Sequence, residues 1–380
     1  MLDVAVVGGG PAGSMAARAL ACSYDVRVLE EHTTSGVPMQ CAGLFTDRVL
    51  EMSGVRPTVF NSFRRARVVF PDGTDLLLES DGVIVNAVDR TEFDRLLAAS
   101  AMDAGAEFVY GSKYRSHSVS DRVDIDTSSG SFQARAIVGA DGHSSKVAMS
   151  LGDNRPEEYI RGMEADVSGV RGDDDLLTIR MGTQVAPGFF TWEIPCGDFT
   201  RVGLCTSWSA GPPSAYLDRL IESTAPGCRI LSRYCGKIPL GIRPKLSGER
   251  CILTGDAAGM VKPVSGGGLH PTCMTIPILE EVLSSALDDD DLSAKRLRRY
   301  DSGCRKAIGK DIDRGYFLRR RYVRLSDEQI SYAGGEAKRD SIADVLRNID
   351  FDNPADVVRQ MLRDPRNYPV AVKLAVRCLL

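Results

Sequence analysis

The chain has 380 residues, of which 43% are hydrophobic and 26% charged, and its formal net charge is -4. This composition is typical of an ordinary globular protein with one large core or two joined ones, and the charge argues against a general nucleic-acid binder. The cysteines are scattered without a CxxC pair, which argues against a disulfide framework, a zinc site or an iron–sulfur cluster.

The hydropathy of the chain indicates the cellular compartment in which we expect the protein. No segment approaches the roughly 18 uninterrupted apolar residues of a membrane-spanning helix, and the first predicted strand begins at Leu2, which leaves no room for a signal peptide. We therefore expect a cytoplasmic protein. Peripheral contact with a membrane stays open, because basic and aromatic residues alternate in one part of the tail and would suit either anionic lipid headgroups or a solvated helix face. This cluster comprises Tyr316, Phe317, Arg319, Arg320, Arg321, Tyr322 and Arg324.

The first predicted elements form a β-α-β unit. Residues 2–7 are a short apolar run that ends in glycines, as in a buried parallel strand. A helix of small residues follows from Pro11 to about Cys22, and a second strand spans Asp25–Glu30. Such a unit with a glycine-rich turn is the framework of a Rossmann-type dinucleotide site.

The turn carries the dinucleotide fingerprint GxGxxG, at the exit of the strand and the entry of the helix. The first glycine permits the tight turn, the second lets the pyrophosphate approach, and the third lets helix and strand pack closely. Glu30, or Glu31 if the strand boundary slips by one, is expected to accept the ribose hydroxyls. The residues expected to bind the dinucleotide here are Gly8, Gly10, Ala12, Gly13 and Glu30. This pattern alone leaves FAD and NAD open.

The later elements outline a second domain and a tail. Residues 64–79 alternate around a Pro-Asp-Gly turn and predict a β-hairpin, and Thr91–Ala104 predicts a helix that ends at Gly105. Residues 159–208 alternate polar and apolar side chains, as an antiparallel sheet with one covered face does. Parallel-strand character returns at Arg250–Gly255, before a glycine-rich loop and a helix to about Leu287.

The predicted fold class is therefore α/β, or α+β over the whole chain. A Rossmann-type dinucleotide-binding domain, which the motifs below assign to FAD, comprises residues 1–60, 83–150 and 240–290. An antiparallel-sheet substrate domain is inserted into it as residues 61–82 and 151–239. Residues 291–380 form a C-terminal helical region.

Two distant segments favour FAD. The sequence RCILTGDAAG at Arg250–Gly259 places Asp256 directly after a buried strand, and this resembles the second FAD fingerprint of p-hydroxybenzoate-hydroxylase-like flavoproteins. Asp141, in AIVGADG, is similar to the Asp-Gly motif of the same proteins, although a simple turn would also suit it. The resemblance implies that Asp256 and Asp141 bind the cofactor and that Arg90, in DRTEFDRLL, contacts the flavin nucleotide.

The loop KPVSGGGLHP opens the next helix. Consecutive glycines leave backbone N–H groups free to reach the flavin edge, where negative charge develops on reduction, and the start of a helix favours that charge. Gly266, Gly267, Gly268 and Leu269 are accordingly expected to contact the flavin.

At this point the chain resembles the geranylgeranyl reductases of archaeal lipid and chlorophyll synthesis. The segment QCAGL, with Cys41, Ala42 and Gly43, is similar to the Cys-containing loop of that family. The segment GFFTWEIPCGDFTRVGLC at Gly188–Cys205 resembles its aromatic YxWxFP…GxG substrate motif, although Cys205 replaces the last glycine and Ile194 an aromatic residue. The resemblance implies an archaeal digeranylgeranylglycerophospholipid reductase-like enzyme that saturates isoprenoid double bonds with hydride from reduced FAD.

This chemistry requires an apolar slot beside the flavin and an acid. The expected slot residues, which would also suit an ordinary sheet core, are Phe189, Phe190, Trp192, Pro195 and Gly203. Cys41 shapes the cofactor end of the site and is one candidate proton donor, unless it is only a small buried hydrophobe. His270 is the other candidate, unless it caps or packs its helix.

Other functions of this fold stay open. A flavin monooxygenase or halogenase would couple NAD(P)H to oxygen, and the segment Trp192–Pro195 matches half of the halogenase WxWxIP element. A non-catalytic or electron-transfer flavoprotein is the third class. The expected partners of a reductase are an isoprenoid lipid and a donor of electrons, either ferredoxin or NADPH.

Overall fold

The computed structural model describes residues 1–168, 173–347, 350–374 and 376–377. The strands are β1 Leu2–Val7, β2 Val26–Glu30, β3 Leu44–Phe45, β4 Val59–Phe63, β5 Arg65–Val69, β6 Asp75–Glu79, β7 Val85–Val88, β8 Glu107–Tyr110, β9 Tyr114–Val119, β10 Val123–Thr127, β11 Gly130–Gly139, β12 Glu158–Ser168, β13 Leu176–Met181, β14 Phe190–Pro195, β15 Thr200–Ser207, β16 Arg229–Leu240, β17 Ser247–Gly248 and β18 Cys251–Leu253. The helices are α1 Pro11–Ala21, α2 Asp47–Ser53, α3 Arg90–Asp103, α4 Lys146–Ser150, α5 Ser214–Thr224, α6 Leu269–Asp288, α7 Ala294–Cys304, α8 Lys310–Tyr322, α9 Asp327–Ala337, α10 Asp340–Arg347, α11 Val357–Met361 and α12 Tyr368–Leu374.

The first sheet carries the dinucleotide fold. Its order is β17-β18-β11-β1-β2-β8, with β10 and β9 added beside β11, and β18, β11, β1, β2 and β8 run parallel. β1 is buried along most of its length because α1 and α6 lie over the sheet, which explains its continuous apolar run. The mixed α/β fold predicted from the β-α-β unit is confirmed, and strand β18 returns to this sheet from far along the chain.

The second sheet has the order β16-β12-β15-β14-β13-β5-β6. Most of its neighbours are antiparallel, as the alternation over residues 159–208 predicts, and the predicted hairpin forms β5 and β6. Along β12, Ala165 and Val167 face α5, where they pack with Leu217. The alternate residues, among them Ile160 and Glu164, therefore point to the other face, which is turned toward the first domain.

The C-terminal helices pack against both domains. Tyr300 of α7 is fully buried and its hydroxyl donates to the Leu253 carbonyl at 3.0 Å. α8 lies against β12 and the start of β14. Among the described residues, no helix is long and apolar enough to cross a membrane.

One prediction for α8 is wrong in part. Arg319 is 3% exposed and donates to both carboxylate oxygens of Glu158, at 3.0 and 2.6 Å, instead of facing solvent or lipid. Tyr322 donates to the Phe189 carbonyl at 2.5 Å. These contacts dock α8 on the second sheet, whereas Phe317 and Arg320 of the same helix are exposed.

Candidate active site

The glycine loop between β1 and α1 is tightly packed on one side and open on the other. Gly8 has φ +100°, and a Cβ there would overlap the Ala140 carbonyl. A Cβ at Gly13 would overlap the Gly8 carbonyl, so the helix rests directly on the turn. At Gly10, by contrast, a Cβ would have no atom within 4 Å. The open side lies at the start of α1, whose N-terminal N–H groups receive no side-chain cap.

Of the two candidate acids at the end of β2, the structure places Glu30 beside the glycine loop. Glu30 is 7% exposed, and its carboxylate accepts from the Gly9 N–H at 2.6 Å and the His32 N–H at 2.8 Å. Glu31 instead points outward and pairs with Lys113.

Asp256 lies at the far side of the same loop. It follows β18 in a short 3₁₀ turn, and its Oδ1 would be 3.0 Å from a Cβ at Gly268, at the entry of α6. Burial raises the pKa of Asp256 to about 6, against the opposing effect of Arg90. The neighbouring Gly255 packs on Ala12, since a Cβ there would be 2.5 Å from the Ala12 methyl. The turn after β1, the turn after β18 and the start of α6 thus lie next to one another.

These residues fit a flavin dinucleotide. The uncapped N-terminus of α1 and the open face at Gly10 suit a pyrophosphate. Glu30 stands where a ribose is bound in such folds, and Asp256 lies between the glycine loop and the Gly266–Gly268 loop. FAD bound from Gly10 past Asp256 would have its reactive ring between the Gly266–Gly268 loop and the second sheet.

Asp141 is engaged elsewhere. Its carboxylate accepts from the Ser145 hydroxyl at 2.5 Å and from the Lys146 and Val147 N–H groups at 2.7 and 3.2 Å, all at the start of α4. The Asp141 backbone lies beside Gly8. The side chain therefore supports the loop through α4, and any contact with the cofactor is left to the neighbouring backbone.

Arg90 faces Asp94 and Cys41. Its guanidinium donates to both carboxylate oxygens of Asp94, at 2.8 and 3.0 Å, and lies beside the Cys41 thiol. Burial lowers the pKa of Arg90, but these two neighbours outweigh it and the net direction is upward. For Arg90 to contact the flavin nucleotide, its guanidinium would have to bind the nucleotide and Asp94 at the same time.

The segment with Cys41, Ala42 and Gly43 lies between the two domains. The Ala42 carbonyl accepts from Arg201 of β15 at 2.9 Å, and a Cβ at Gly43 would be 3.2 Å from the same guanidinium. Cys41 is half-buried and lies on the side of Arg90. This segment is therefore fixed to the first domain at one end and to the substrate sheet at the other.

The Gly266–Gly268 loop touches the inner face of the second sheet. A Cβ at Gly266 would be 3.4 Å from the Phe189 ring, 3.6 Å from Ile238 and 4.0 Å from Ile160. On its other side, Gly267 is close to the Lys262 side chain. The loop expected to contact the flavin thus adjoins an apolar surface, and Leu269 follows it as the first residue of α6.

The aromatic residues of β14 and of the position just before it divide into two groups. Phe189 is 2% exposed and stacks on Phe190 at 4.4 Å between ring centroids, so it belongs to the core between sheet and loop. Phe190 and Trp192 are half-buried and meet edge to face at 6.4 Å. The Trp192 indole covers Gly203, where a Cβ would be 2.5 Å from the ring. Pro195 ends the strand and its carbonyl accepts from the Asn61 side chain at 3.0 Å.

His270 lies apart from this surface. Its charged neighbours are Asp352, Lys262, Arg48 and Asp350, which join the C-terminal segment to the loop before α6. Burial lowers the pKa of His270, so the imidazole is neutral at neutral pH. The structure therefore does not bring His270 together with Cys41 and Trp192.

The sequence analysis missed three charged residues on the inner face of the second sheet. Arg201, 3% exposed, donates to both carboxylate oxygens of Asp166, at 2.8 and 3.2 Å. Glu164, 5% exposed, accepts from the Trp192 indole N–H at 3.2 Å. One sequence signal could have found two of them. Glu164 and Asp166 occupy alternate positions of one strand, so they lie together on one face of the sheet, and the other face is the one covered by α5.

Comparison with known proteins agrees with this geometry. Residues 1–186 match the FAD binding domain family. The chain is 31% identical to a digeranylgeranylglycerophospholipid reductase of Methanocella arvoryzae, over 92% of each chain. It is 29% identical to digeranylgeranylglycerophospholipid reductase 1 of Methanothermobacter thermautotrophicus, over 95% of each chain. A geranylgeranyl bacteriochlorophyll reductase-like structure from Thermoplasma acidophilum superposes with a TM-score of 0.87 at 22% identity, over 98% of both chains.

The cofactor predicted from the glycine loop and Asp256 is confirmed as FAD by the family match. The two relatives cover 95% and 92% of the chain. This protein therefore belongs to the digeranylgeranylglycerophospholipid reductase family of FAD-binding proteins.

Proposed function

We propose that this protein is an FAD-dependent reductase that saturates double bonds of geranylgeranyl chains in archaeal-type ether phospholipids. The observation that carries the proposal is the contact of the Gly266–Gly268 loop with an apolar sheet face bearing Phe190 and Trp192. This contact brings an aromatic surface to the place where the flavin ring is expected. Membership of a family whose named members reduce digeranylgeranyl lipids supports the same reading.

The chain's own residues bind and orient the cofactor. Gly8, Gly10 and Gly13 leave room for the pyrophosphate at the start of α1, and Glu30 accepts ribose hydroxyls. Asp256 and the loop before Leu269 are proposed to hold the ribityl chain and ring. Bound in its reduced form, FAD supplies hydride, which the reaction needs at one carbon of the double bond.

The sheet positions the substrate. No carbonyl polarises an isoprenoid double bond, so holding the alkene against the ring must supply much of the rate. Phe190 and Trp192 form an apolar wall of two rings packed edge to face, and desolvation of the lipid chain against it favours binding. Cys41, with Ala42 and Gly43, is proposed to shape the cofactor end of this slot, beside Arg90.

The principal alternative is a flavin monooxygenase or halogenase of the same fold. In such an enzyme NAD(P)H oxidation is coupled to oxygen, and no alkene is reduced. Anaerobic incubation of the dithionite-reduced enzyme with geranylgeranyl phospholipid, followed by mass spectrometry, separates the two. We expect a gain of two hydrogens for each double bond reduced. Absence of saturation together with rapid oxygen-dependent NADPH oxidation would refute the reductase.

The electron donor is proposed to be ferredoxin or NADPH. The glycine fingerprint at the start of the chain is taken by FAD, and the sequence has no second GxGxxG for a nicotinamide domain. Anaerobic stopped-flow reduction of the bound flavin by each donor distinguishes them, because the true donor reduces the flavin at least as fast as the enzyme turns over.

Peripheral membrane contact is proposed at the C-terminal helices rather than at Arg319. In this region, exposed apolar residues alternate with basic ones. The apolar members are Val358, Leu362, Tyr368 and Val372, and the basic members are Arg359, Arg363, Arg366 and Lys373.

Vesicle flotation tests this surface. We expect the protein to float with anionic phospholipid vesicles at low salt and to float less at high salt, because the headgroup attraction is screened. The double variant L362D and V372D should lose most of the binding. Equal flotation of this variant and the wild type would contradict the assignment.

A further inference from the structure

Glu164 is a buried acid whose hydrogen bonding is half complete. Its side chain is 5% exposed, and Oε2 accepts from the Trp192 indole. Oε1 is buried as well and has no hydrogen-bond partner among the described residues. A buried carboxyl oxygen without a partner is costly, so Glu164 lowers the stability of the fold and points to a role other than stability.

The unpartnered oxygen lies on the substrate face of the second sheet. Glu164 is in the central strand β12, paired with Gly203 of β15 on one side and Tyr234 of β16 on the other. On the same face, the neighbouring pair consists of Gly162 and Gly236, which have no side chains to project from the sheet. The Trp192 ring covers Gly203 at the edge of the same area. Glu164 therefore belongs to the floor on which the isoprenoid chain is proposed to lie.

Charged and titratable groups surround Glu164 on several elements. Asp166 lies on its own strand, Arg201 and Cys205 on β15, Tyr234 on β16 and Arg90 on α3. Cys196 follows β14. Burial raises the pKa of Glu164 to about 7, although Arg201 opposes the shift. The acid is therefore protonated below neutral pH, and two guanidinium groups are in reach to stabilise the carboxylate once the proton has left.

We propose that Glu164 is the proton donor of the reduction, an inference that rests on the proposed reductase function. One carbon of the double bond receives hydride, and the two electrons come from the reduced flavin. The O–H bond of Glu164 breaks, and its proton forms the new C–H bond at the other carbon. The Glu164 carboxylate then takes a proton from water after the saturated lipid has left, and the electron donor restores the reduced flavin.

The assignment differs from both donors expected from the sequence. His270 lies among the charges that hold the C-terminal segment, and Cys41 adjoins the Arg90 guanidinium in the segment between the two domains. Of the three, Glu164 is the residue that lies in the central strand of the second sheet and has a buried oxygen without a partner among the described residues. Cys41 keeps its proposed role in shaping the cofactor end.

The test uses the FAD-bound enzyme and the variant E164Q, which keeps the shape and the hydrogen bond to Trp192. The matched control is E193Q, because Glu193 is next to Trp192 on β14 but pairs with Arg180 on the opposite face. Two quantities are measured: the rate of lipid saturation in a single anaerobic turnover across pH, and the infrared C=O band of protonated carboxyl groups in the enzyme without lipid.

Because other buried carboxyl groups such as Asp256 also have a raised pKa, the Glu164 band is read from the wild type minus E164Q difference spectrum. We expect this difference band to disappear as pH rises through about 7, together with a parallel fall in the wild-type saturation rate. In E164Q the rate should be lower by about 100-fold or more, with no decline over the same pH range. E193Q should retain both features. E164D, which keeps an acid on a shorter side chain, should retain a titrating band and recover part of the rate. Flavin absorbance reports folding in each variant.

Saturation by E164Q at the wild-type rate and pH dependence, or a carboxyl spectrum that titrates identically in the wild type and E164Q, would overturn the role of Glu164 while leaving the reductase in place. A wild-type enzyme that leaves the lipid unsaturated overturns the proposed function and the role of Glu164 with it.

Discussion

At the scale of single residues, the glycines of the first turn have separable roles. A Cβ at Gly13 collides with the Gly8 carbonyl, whereas a Cβ at Gly10 meets nothing within 4 Å. Gly13 is therefore needed by the fold itself, and Gly10 by the ligand.

We predict that G13A lowers the free energy of unfolding of the FAD-free protein by about 1–3 kcal/mol, since helix and turn must move apart. G10A should change it by less than about 0.5 kcal/mol. Both variants should bind FAD at least about tenfold more weakly. Chemical denaturation and flavin titration measure the two effects. A G10A protein with wild-type affinity would show that the pyrophosphate does not approach Gly10.

The buried acid Glu164 makes a second prediction, for stability. Its pKa is about 7 in the folded protein against an ordinary value of 4.5, so the folded state holds the proton more tightly than the unfolded state. Stability is therefore lost as pH rises from 4.5 to 7, by at most about 3 kcal/mol. Denaturation curves of the wild type and E164Q should converge at low pH and separate above neutral pH, with E164Q more stable. Parallel pH profiles would contradict a raised pKa.

The residue scale also shows what a sequence can predict. Of the two acids that the sequence offers for the ribose, Glu30 is the one that lies beside the glycine loop. Strand register and motif spacing, which are local properties, point to this residue. The partners of Arg90 and Asp141 were not foreseen. Arg90 is held by Asp94, one helical turn away, and Asp141 by the start of α4. A motif predicts the strand, turn or helix on which a residue lies. The hydrogen-bond partners that the fold brings close then decide which group its charged side chain binds.

At the scale of elements, the docking of α8 on β12 depends on one ion pair. Arg319 and Glu158 are 2% and 29% exposed at their side chains, while the neighbouring pair of Arg320 and Glu157 is 56% and 50% exposed. The adjacent pairs provide a natural comparison of a buried and an exposed contact.

We predict that R319M lowers the free energy of unfolding by about 3 kcal/mol, because Glu158 and two further acceptors at the helix–sheet contact lose their hydrogen-bond donor. R320M should cost less than about 1 kcal/mol. Urea denaturation of both variants provides the measurement. Equal losses would mean that α8 is held by its apolar residues alone.

Elements with a strong local pattern were predicted well. The β-α-β unit, the hairpin of β5 and β6, and the α3 and α6 helices follow from periodicity and turn residues. The burial of Arg319 could not be predicted in this way, because its partner Glu158 is 161 residues away. The same holds for Arg201 and Ala42, which are 159 residues apart. Patterns within ten residues carry no information on such pairs.

At the scale of the whole molecule, the two sheets meet where the cofactor and the lipid are proposed to meet. The first domain contributes the glycine loop and the Cys41 segment, and the second contributes the wall of Phe190 and Trp192. Arg201 joins them, since it binds Asp166 within its own sheet and the Ala42 carbonyl across the boundary. The inserted domain thus has a fixed position on the FAD-binding domain at the point of reaction.

The most direct test of this account is the reoxidation of the flavin by the lipid. The FAD-bound enzyme is reduced anaerobically with one equivalent of dithionite and mixed with geranylgeranyl phospholipid, and flavin absorbance and lipid mass are followed together. We predict that oxidised flavin returns at the rate at which the lipid gains two hydrogens, with one double bond saturated per flavin. Flavin that stays reduced beside unsaturated lipid, and is reoxidised only when oxygen is admitted, would contradict it.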